Sequence, residues 1–497
     1  MSRLQVFLLL TLIVCTGVAL RSFDITARSL WFDEAFSWRL IHFPFAEMIA
    51  RDAQDVHPPL YYILLQGWSK IFASSILSLR MFSVFCSGIA LYAAYLFSSY
   101  AFRSRVVGFL SVILLAVSGW DISYAWEARM YPLGMIFAFF SSYALLKSLR
   151  TVSLKWAIIY GISAAALMYT HYYGYFTVAA QALFAIIFLI RARNKKLFLY
   201  ASIAGVLAIA LYSPWLPVFL HQNQQVRAAY WVPPIASTSI PDTFYQFFVP
   251  TKEIPPHHVP VIFLSLLPII GSLVLWGWLA WRKNSERDAA IFTMLLGSVP
   301  FIFGIIVSFT GRSLYNDRFF AFAGIFLFCG LAYAITRIPN KALKISVGIL
   351  VVLALILSFI RYWHELDITN KPGGHGATQY VFEQRSNTDP ILVSSPYVYF
   401  AIENYATDEF LAPNAAHLFS QTGELSHFSG GPILVQSDIV GPQDILKYSG
   451  TVWVIDTTGY TETPFQAPSN WVEMDSKTFP EVFVYQGDIT VRKFEVK

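Results

Sequence analysis

Charge is what this chain has least of. Only 13% of its 497 residues are Asp, Glu, Lys or Arg, about half the share of a soluble globular domain. That shortage argues against a water-soluble enzyme of this length, and equally against a disordered scaffold, which stays solvated through charge. Cysteine is nearly missing too. Cys15, Cys86 and Cys329 all fall inside apolar runs, with no metal-ligand spacing and no disulfide framework. No internal repeat, low-complexity tract or nucleotide-binding glycine loop stands out. The net charge of +5 is spread over short loops, so nucleic acid is not expected as a partner. What remains is apolar: 56% hydrophobic and 17% aromatic residues, with a mean hydropathy of +0.53.

This composition supplies many membrane spans of about 20 residues each. Apolar runs fall near 4–20, 80–101, 106–119, 131–149, 154–170, 177–191, 197–216, 259–281, 289–309, 319–335 and 344–361. The expected fold is therefore an α-helical polytopic membrane protein of about eleven spans, with the first run read as a retained anchor rather than a signal peptide. Lys and Arg set its direction. Loops 1–3, 102–105, 150–155, 191–196, 282–288 and 336–343 carry most of the cations, so these loops and the amino terminus are expected in the cytoplasm. The stretch 59–73 is short and interrupted by Gln66, Gly67 and Lys70. Counting it as a span would reverse the charge bias, so it reads as an interfacial helix within one large outer loop, 21–79, that holds a further amphipathic helix near 39–52.

Residues 362–497 are more polar. Short β-like runs at 390–394, 432–436, 451–455 and 481–485, with helical stretches at 377–386 and 442–448, point to a small α/β domain. The expected division is a membrane domain over 1–361 and an extracytoplasmic domain over 362–497.

The polar chemistry gathers in the loops of the outer face. Asp33 and Glu34 follow the first span among Trp31, Phe32 and Phe36. A carboxylate there suits a general base as well as a helix cap over 35–50. His57 precedes two prolines that can open a helix. Glu127 and Arg129 lie in a very short loop; in a helix, Glu127 and Tyr131 would share a face. His171 and Tyr172 open another short loop, and Arg318 leads into a late span, where an arginine can hold a phosphate or snorkel. The loop 217–258, with Trp231, Tyr245, His257 and His258, is a candidate cover for the site. Every cluster maps to one membrane face, which points to a phosphate-bearing lipid ligand and a reaction.

Three of these motifs, Trp31-Phe32-Asp33-Glu34-Ala35, His57-Pro58-Pro59-Leu60-Tyr61-Tyr62 and Trp126-Glu127-Ala128-Arg129-Met130-Tyr131-Pro132-Leu133, resemble bacterial membrane glycosyltransferases of the GT-C superfamily. The groups most similar are the dolichyl-phosphate-mannose protein mannosyltransferase-like and lipid A aminoarabinose transferase-like families. The resemblance implies a sugar donor linked to polyprenyl phosphate, an acceptor glycan, lipid or protein, and an enzyme held in the plasma membrane. It implies that Asp33 is the catalytic base with Glu34 beside it, that Glu127 orients substrates, and that Arg129 holds phosphate. His57 matches a position before paired prolines that is often His or Lys. Arg318 matches a late arginine, although Asn316-Asp317-Arg318-Phe319-Phe320 lacks the prolines that usually follow. Tyr131, His171 and Tyr172 are expected to line the sugar and phosphate site. Some members use a divalent metal and others none, and these residues leave that open.

The competing class is a lipid transporter or flippase. It calls for polar residues along several spans and cavities open to both faces, whereas charges within these runs are scarce. A membrane scaffold presenting 362–497 leaves the loop carboxylates without a role. The expectation on which the enzyme reading depends is that Asp33, Arg129 and Arg318 share one extracytoplasmic chamber.

Overall fold

A computed structural model of the chain describes residues 2–251, 260–282, 285–422, 425, 427–460 and 464–497. They form two compact units. One comprises Met1–Phe23, His57–Tyr61 and Arg80–Tyr362; the other comprises Asp24–Val56, Tyr62–Leu79 and Trp363–Lys497.

The first unit is an all-helical bundle. In their described residues, the eleven apolar runs are mainly helical. Among the described residues, eight helices are long and apolar enough to cross a membrane, and the pair Arg105–Ala116 and Gly119–Ala125, bent by 65°, adds a ninth. Leu154–Thr170 and Leu266–Trp281 are shorter apolar helices. Helix Ala321–Thr336 is buried along its whole length, as an all-round hydrophobic helix must be. Phe97 and Phe139 meet Phe326 at ring distances of 5.3 and 5.1 Å, and Phe102 stacks on Tyr333 at 4.3 Å. Gly134 brings helix Tyr131–Thr151 against this centre: a Cβ there would lie 2.1 Å from the Phe322 ring, so only glycine permits the approach. Gln181 ties two helices together by donating to the Ser141 and Ser142 hydroxyls at 2.7 and 3.0 Å. In contrast, helix Arg3–Ser22 leaves Leu4, Phe7, Leu8 and Leu12 exposed, as a lipid-facing outer helix does.

The bend between the two halves of the 105–125 pair has an identifiable cause. Arg21 is fully buried, and all five of its N–H groups have acceptors. Nε donates to Ser87 at 2.8 Å; Nη1 reaches the Gly17 and Ala116 carbonyls at 2.9 and 3.0 Å. Nη2 reaches the Leu115 carbonyl at 3.0 Å and the Asp121 carboxylate. The guanidinium satisfies carbonyls left open where the first half ends and pairs with an acid on the second. Arg21 lies at the end of the first apolar run, where the sequence suggests no buried partner.

The basic loops touch one another. Arg191 pairs with Asp288 at 3.1 Å, Arg337 with Glu286, and Arg150 donates to the Tyr100 and Ala101 carbonyls at 2.7 and 2.8 Å. These loops therefore share one end of the bundle.

The second unit combines the first large loop with the carboxyl-terminal segment. Its six strands are β1 (Ile391–Val393), β2 (Ala416–Phe419), β3 (Ile439–Val440), β4 (Gly450–Thr457), β5 (Trp471–Phe479) and β6 (Ile489–Val496). The sheet order is β3-β2-β1-β4-β6-β5. The first four strands are parallel, and β6 runs antiparallel to both β4 and β5. Two expected strands are absent. Gly431–Ile433 and Val484–Gln486 are single 3-10 turns, the former opened by Pro432, which cannot donate to a ladder. The helix expected at 39–52 breaks at Pro44 into Phe32–Ile41 and Phe45–Asp52. The stretch 59–73 is a 13-residue helix, Leu60–Phe72. Its Gln66 caps the end of helix Phe32–Ile41, donating to the Ile41 and Phe43 carbonyls at 3.0 and 2.9 Å.

Candidate active site

In the helical unit, loops that join alternate helices converge on one group of side chains. Arg129 is buried, in a stretch that is not helical: its N–H donates to the Glu127 carbonyl at 2.7 Å, and Tyr131 begins the next helix. The expected helical face shared by Glu127 and Tyr131 is therefore absent, because the turn ends before Pro132 at the helix start. The Arg129 Nη2 donates to His57 Nε2 at 3.1 Å. His57 faces His171 at a ring distance of 6.3 Å, and Tyr131 faces His171 at 5.9 Å. Burial holds His171 well below the usual histidine range, and His57 and Arg129 push the same way. Its ring is therefore neutral at pH 7, in agreement with Nδ1 accepting the Tyr173 N–H at 3.1 Å. Phe319 and Phe322 close over the same ring at 5.5 and 5.3 Å.

Tyr172 is connected to this group through a residue that sequence reasoning missed. Its hydroxyl donates to Gln222 Oε1 and accepts the Trp215 indole N–H at 3.1 Å, while Gln222 Nε2 donates to the His57 carbonyl at 3.3 Å. Gln222 lies on helix Leu216–Ala228, inside the loop taken as a cover. Trp231 of that loop lies under Arg318, with the guanidinium carbon 6.0 Å from the ring. The histidines at 257 and 258 fall outside the described residues. Tyr124 lies in the field of Glu127, Asp317 and Arg318 together, which places those three charges around one hydroxyl. The structure thus brings His57, Glu127, Arg129, Tyr131, His171, Tyr172 and Arg318 into one contiguous region, where guanidinium, imidazole and phenol groups offer hydrogen-bond donors suited to an oxyanion.

Asp33 and Glu34 belong to the other compact unit. They occupy the first turn of helix Phe32–Ile41, where carboxylates favour the helix dipole. Asp33 does not cap this helix; Trp31 holds the cap position without a side-chain bond. Asp33 is half-buried, and its carbonyl accepts the Ser37 hydroxyl at 2.9 Å. Glu34 is fully buried, 3.7 Å from the Arg28 guanidinium. The helix packs on the carboxyl-terminal segment: Phe32 meets Tyr397 edge-on at 5.1 Å, and the Arg39 Nη2 donates to both carboxylate oxygens of Asp438 at 3.0 and 3.1 Å. These partners lie hundreds of residues away, and nothing in the local sequence announces them. Among the described residues, no three His, Cys, Asp or Glu side chains gather as ligands for a metal ion, so no residue is named for one.

The family model for dolichyl-phosphate-mannose-protein mannosyltransferase matches residues 56–217. That span contains His57, Glu127, Arg129, Tyr131, His171 and Tyr172, and leaves out Asp33, Glu34 and Arg318. No curated protein matches the sequence. Among solved structures, ArnT from Cupriavidus metallidurans is similar both bound to undecaprenyl phosphate and in the apo state. The TM-scores are 0.56 and 0.57, at 11% identity over 97% of each chain. The archaeal oligosaccharyltransferase AglB from Archaeoglobus fulgidus, in complex with an inhibitory peptide and a dolichol-phosphate, gives a TM-score of 0.52. Its identity is 11%, over 91% of this chain and 69% of that one. At such identities the likeness is one of fold. The chain is a multi-pass membrane protein with the GT-C fold, resembling the protein mannosyltransferase-like and aminoarabinose transferase-like families.

Proposed function

We propose that this chain is an inverting glycosyltransferase that moves a sugar from a polyprenyl phosphate to an acceptor hydroxyl at the extracytoplasmic face of the plasma membrane. The observation that carries the reading is the Arg129–His57–His171 group, in which Arg129 and His171 are buried, built from three loops inside the region that matches the mannosyltransferase family. A phosphate ester recruited from the bilayer needs a planar, permanently charged donor at its headgroup, and a guanidinium supplies one. The contacts among the basic loops support an outward orientation for the opposite loops, since cationic loops stay in the cytoplasm. The undecaprenyl phosphate bound by the similar ArnT structure supports the class of donor.

In this reading Asp33 takes the proton of the acceptor hydroxyl while its oxygen attacks the anomeric carbon. The bond from that carbon to the phosphate oxygen breaks, and its electron pair leaves with the polyprenyl phosphate. Attack opposite the leaving group inverts the anomeric configuration. Arg129 and His57 hold the phosphate, with Arg318 as a second cation, and stabilise the charge gathering there. Glu127 orients the substrates, Glu34 supports Asp33, and Tyr131, His171 and Tyr172 line the pocket.

The test is purified protein given a panel of undecaprenyl-phosphate-linked monosaccharides and cell-envelope acceptors, with release of undecaprenyl phosphate as the readout. Wild-type protein releases it in step with glycosylated product, and Asp33→Asn abolishes the release. Donor that only changes leaflet, without being consumed, would replace the enzyme with a flippase. Asp33→Asn turning over at the wild-type rate would remove the base.

A further inference from the structure

The segment that carries Asp33 into its helix is gripped from the carboxyl-terminal part of the same compact unit. The grip uses two side chains that none of the sequence motifs contains. Tyr405, on helix Pro396–Asp408, accepts the Leu30 N–H on its hydroxyl at 2.6 Å, and that hydroxyl lies 3.4 Å from Ser29 Oγ. Glu481 holds the neighbouring residues. Its carboxylate accepts the Ser29 hydroxyl and lies in the field of Arg28. It also accepts the Gly374 N–H at 2.8 Å and the Val482 N–H at 3.3 Å. Arg28 then leads back to the helix through Glu34 at 3.7 Å. Three consecutive residues before Trp31 are therefore fixed, and Asp33 follows within one turn.

The site around Glu481 is shaped for its carboxylate. Gly373 adopts φ +49°, in the left-handed region, and a Cβ there would lie 2.2 Å from Glu481 Oε1. No side chain fits at this position while the carboxylate stays. Leu30, Trp31 and Phe32 also line a narrow crevice with Tyr397, Tyr460 and Glu481, so the Asp33 segment and one of its anchors, Glu481, face the same space.

We infer that Tyr405 and Glu481 are positioning residues for Asp33, and that residues 363–497 thereby take part in the reaction. The inference rests on the proposed sugar transfer with Asp33 as its base. Tyr405 fixes the backbone at Leu30. Glu481 fixes Ser29 and Arg28. Neither touches the reacting atoms.

The grip depends on pH. Burial pushes the Glu481 carboxyl up to about 7, against the bonds from Gly374, Val482 and Ser29 and the Arg28 charge, which favour its ionised form. The ionised carboxylate accepts all three bonds; protonation turns one oxygen into a donor and loosens the grip. The other charged or titratable groups of this region are Glu34 on the Asp33 helix, His375, whose N–H lies 3.4 Å from Ser29 Oγ and whose ring pairs with Glu409 at 2.8 Å, and Tyr397, Tyr405 and Tyr460.

The test uses the full-length protein in detergent or nanodiscs, with Tyr405→Phe and Glu481→Gln, and two readouts. Hydrogen–deuterium exchange over 28–41 reads the grip without reference to activity. Turnover of whichever undecaprenyl-phosphate monosaccharide the wild type consumes reads its consequence. Both variants are expected to exchange faster over 28–41 and to lose kcat by one to two orders of magnitude, since a misplacement of about 1 Å costs about 100-fold. The donor KM is expected to stay unchanged. In Glu481→Gln, the rise of wild-type kcat through about pH 7 is expected to vanish. Unchanged exchange, or faster exchange with wild-type kcat, would overturn the positioning role. Faster exchange in a protein whose wild type consumes no donor would uphold the grip and sink the sugar-transfer reading instead.

Discussion

Replacing Arg21 with methionine removes a guanidinium whose every N–H is occupied by Ser87, Asp121 and three backbone carbonyls. Methionine keeps an unbranched stem about as far as the position of Nε, so the packing of the stem is largely preserved and the main loss is that of the charged guanidinium. It strands the buried Asp121 carboxylate and frees the Leu115 and Ala116 carbonyls at the 65° bend. Breaking one side of a buried ion pair costs about 3–5 kcal/mol. Hydrogen bonds between helices in membranes average only about 0.6 kcal/mol, so most of the cost comes from the stranded charge. The assay is the unfolding equilibrium in mixed micelles under increasing sodium dodecyl sulfate, for Arg21→Met, Asp121→Leu and the double variant. Each single change is expected to destabilise by several kcal/mol. The double variant, with both charges gone, is expected to fall short of their sum by a coupling of about 0.5–3 kcal/mol. Single effects that add to within about 0.5 kcal/mol would refute the pairing and leave the bend without its cause.

Arg129→Lys keeps the charge but loses the planar fork that reaches His57. It is expected to lower kcat/KM about 100-fold and to weaken binding of undecaprenyl phosphate measured by calorimetry. Equal turnover would remove Arg129 from the phosphate site. Burial pushes Glu403 up to about 7 in the folded protein, from its usual 4.5. Between those values the folded chain keeps a proton that the unfolded chain has lost. The stabilisation is therefore full below 4.5, falls as pH rises, and is gone above 7, a total of about 3 kcal/mol. Urea unfolding of the sheet-containing unit, followed by its tryptophans, is expected to lose this slope in Glu403→Gln.

The membrane bundle is legible in the sequence because a bilayer demands long apolar runs, and nothing about their packing is needed to find them. The helix Leu60–Phe72 is legible as something other than a span for the converse reason, since Gln66 and Lys70 interrupt a run too short to cross. The sheet is harder to read. β5 is an edge strand whose middle residues are exposed, so it lacks apolar alternation. Helix Pro396–Asp408 is rich in aromatic and β-branched residues and nearly all buried, which hides its period. Phe483 and Tyr485 imitate a strand, yet they stack on each other in a turn. At the candidate site, the motifs single out His57, Arg129 and His171 because charged and polar residues in short loops between spans need a reason. Gln222, Tyr405 and Glu481 escape, because each acts through a backbone or hydroxyl partner far along the chain.

The unit that carries Asp33 is stitched from segments far apart in the chain, Asp24–Val56 and Tyr62–Leu79 with Trp363–Lys497. During synthesis the first loop emerges several hundred residues before the segment that completes it. At ribosomal speeds of about 5–20 residues per second, it waits roughly 15 to 60 s. Throughout that interval the helix bearing the candidate base has no sheet to rest on, and a prematurely terminated chain never acquires one. Quality control of this protein is thus built into its thread order: only a chain translated through its sheet-forming segment can assemble the part that holds the acid.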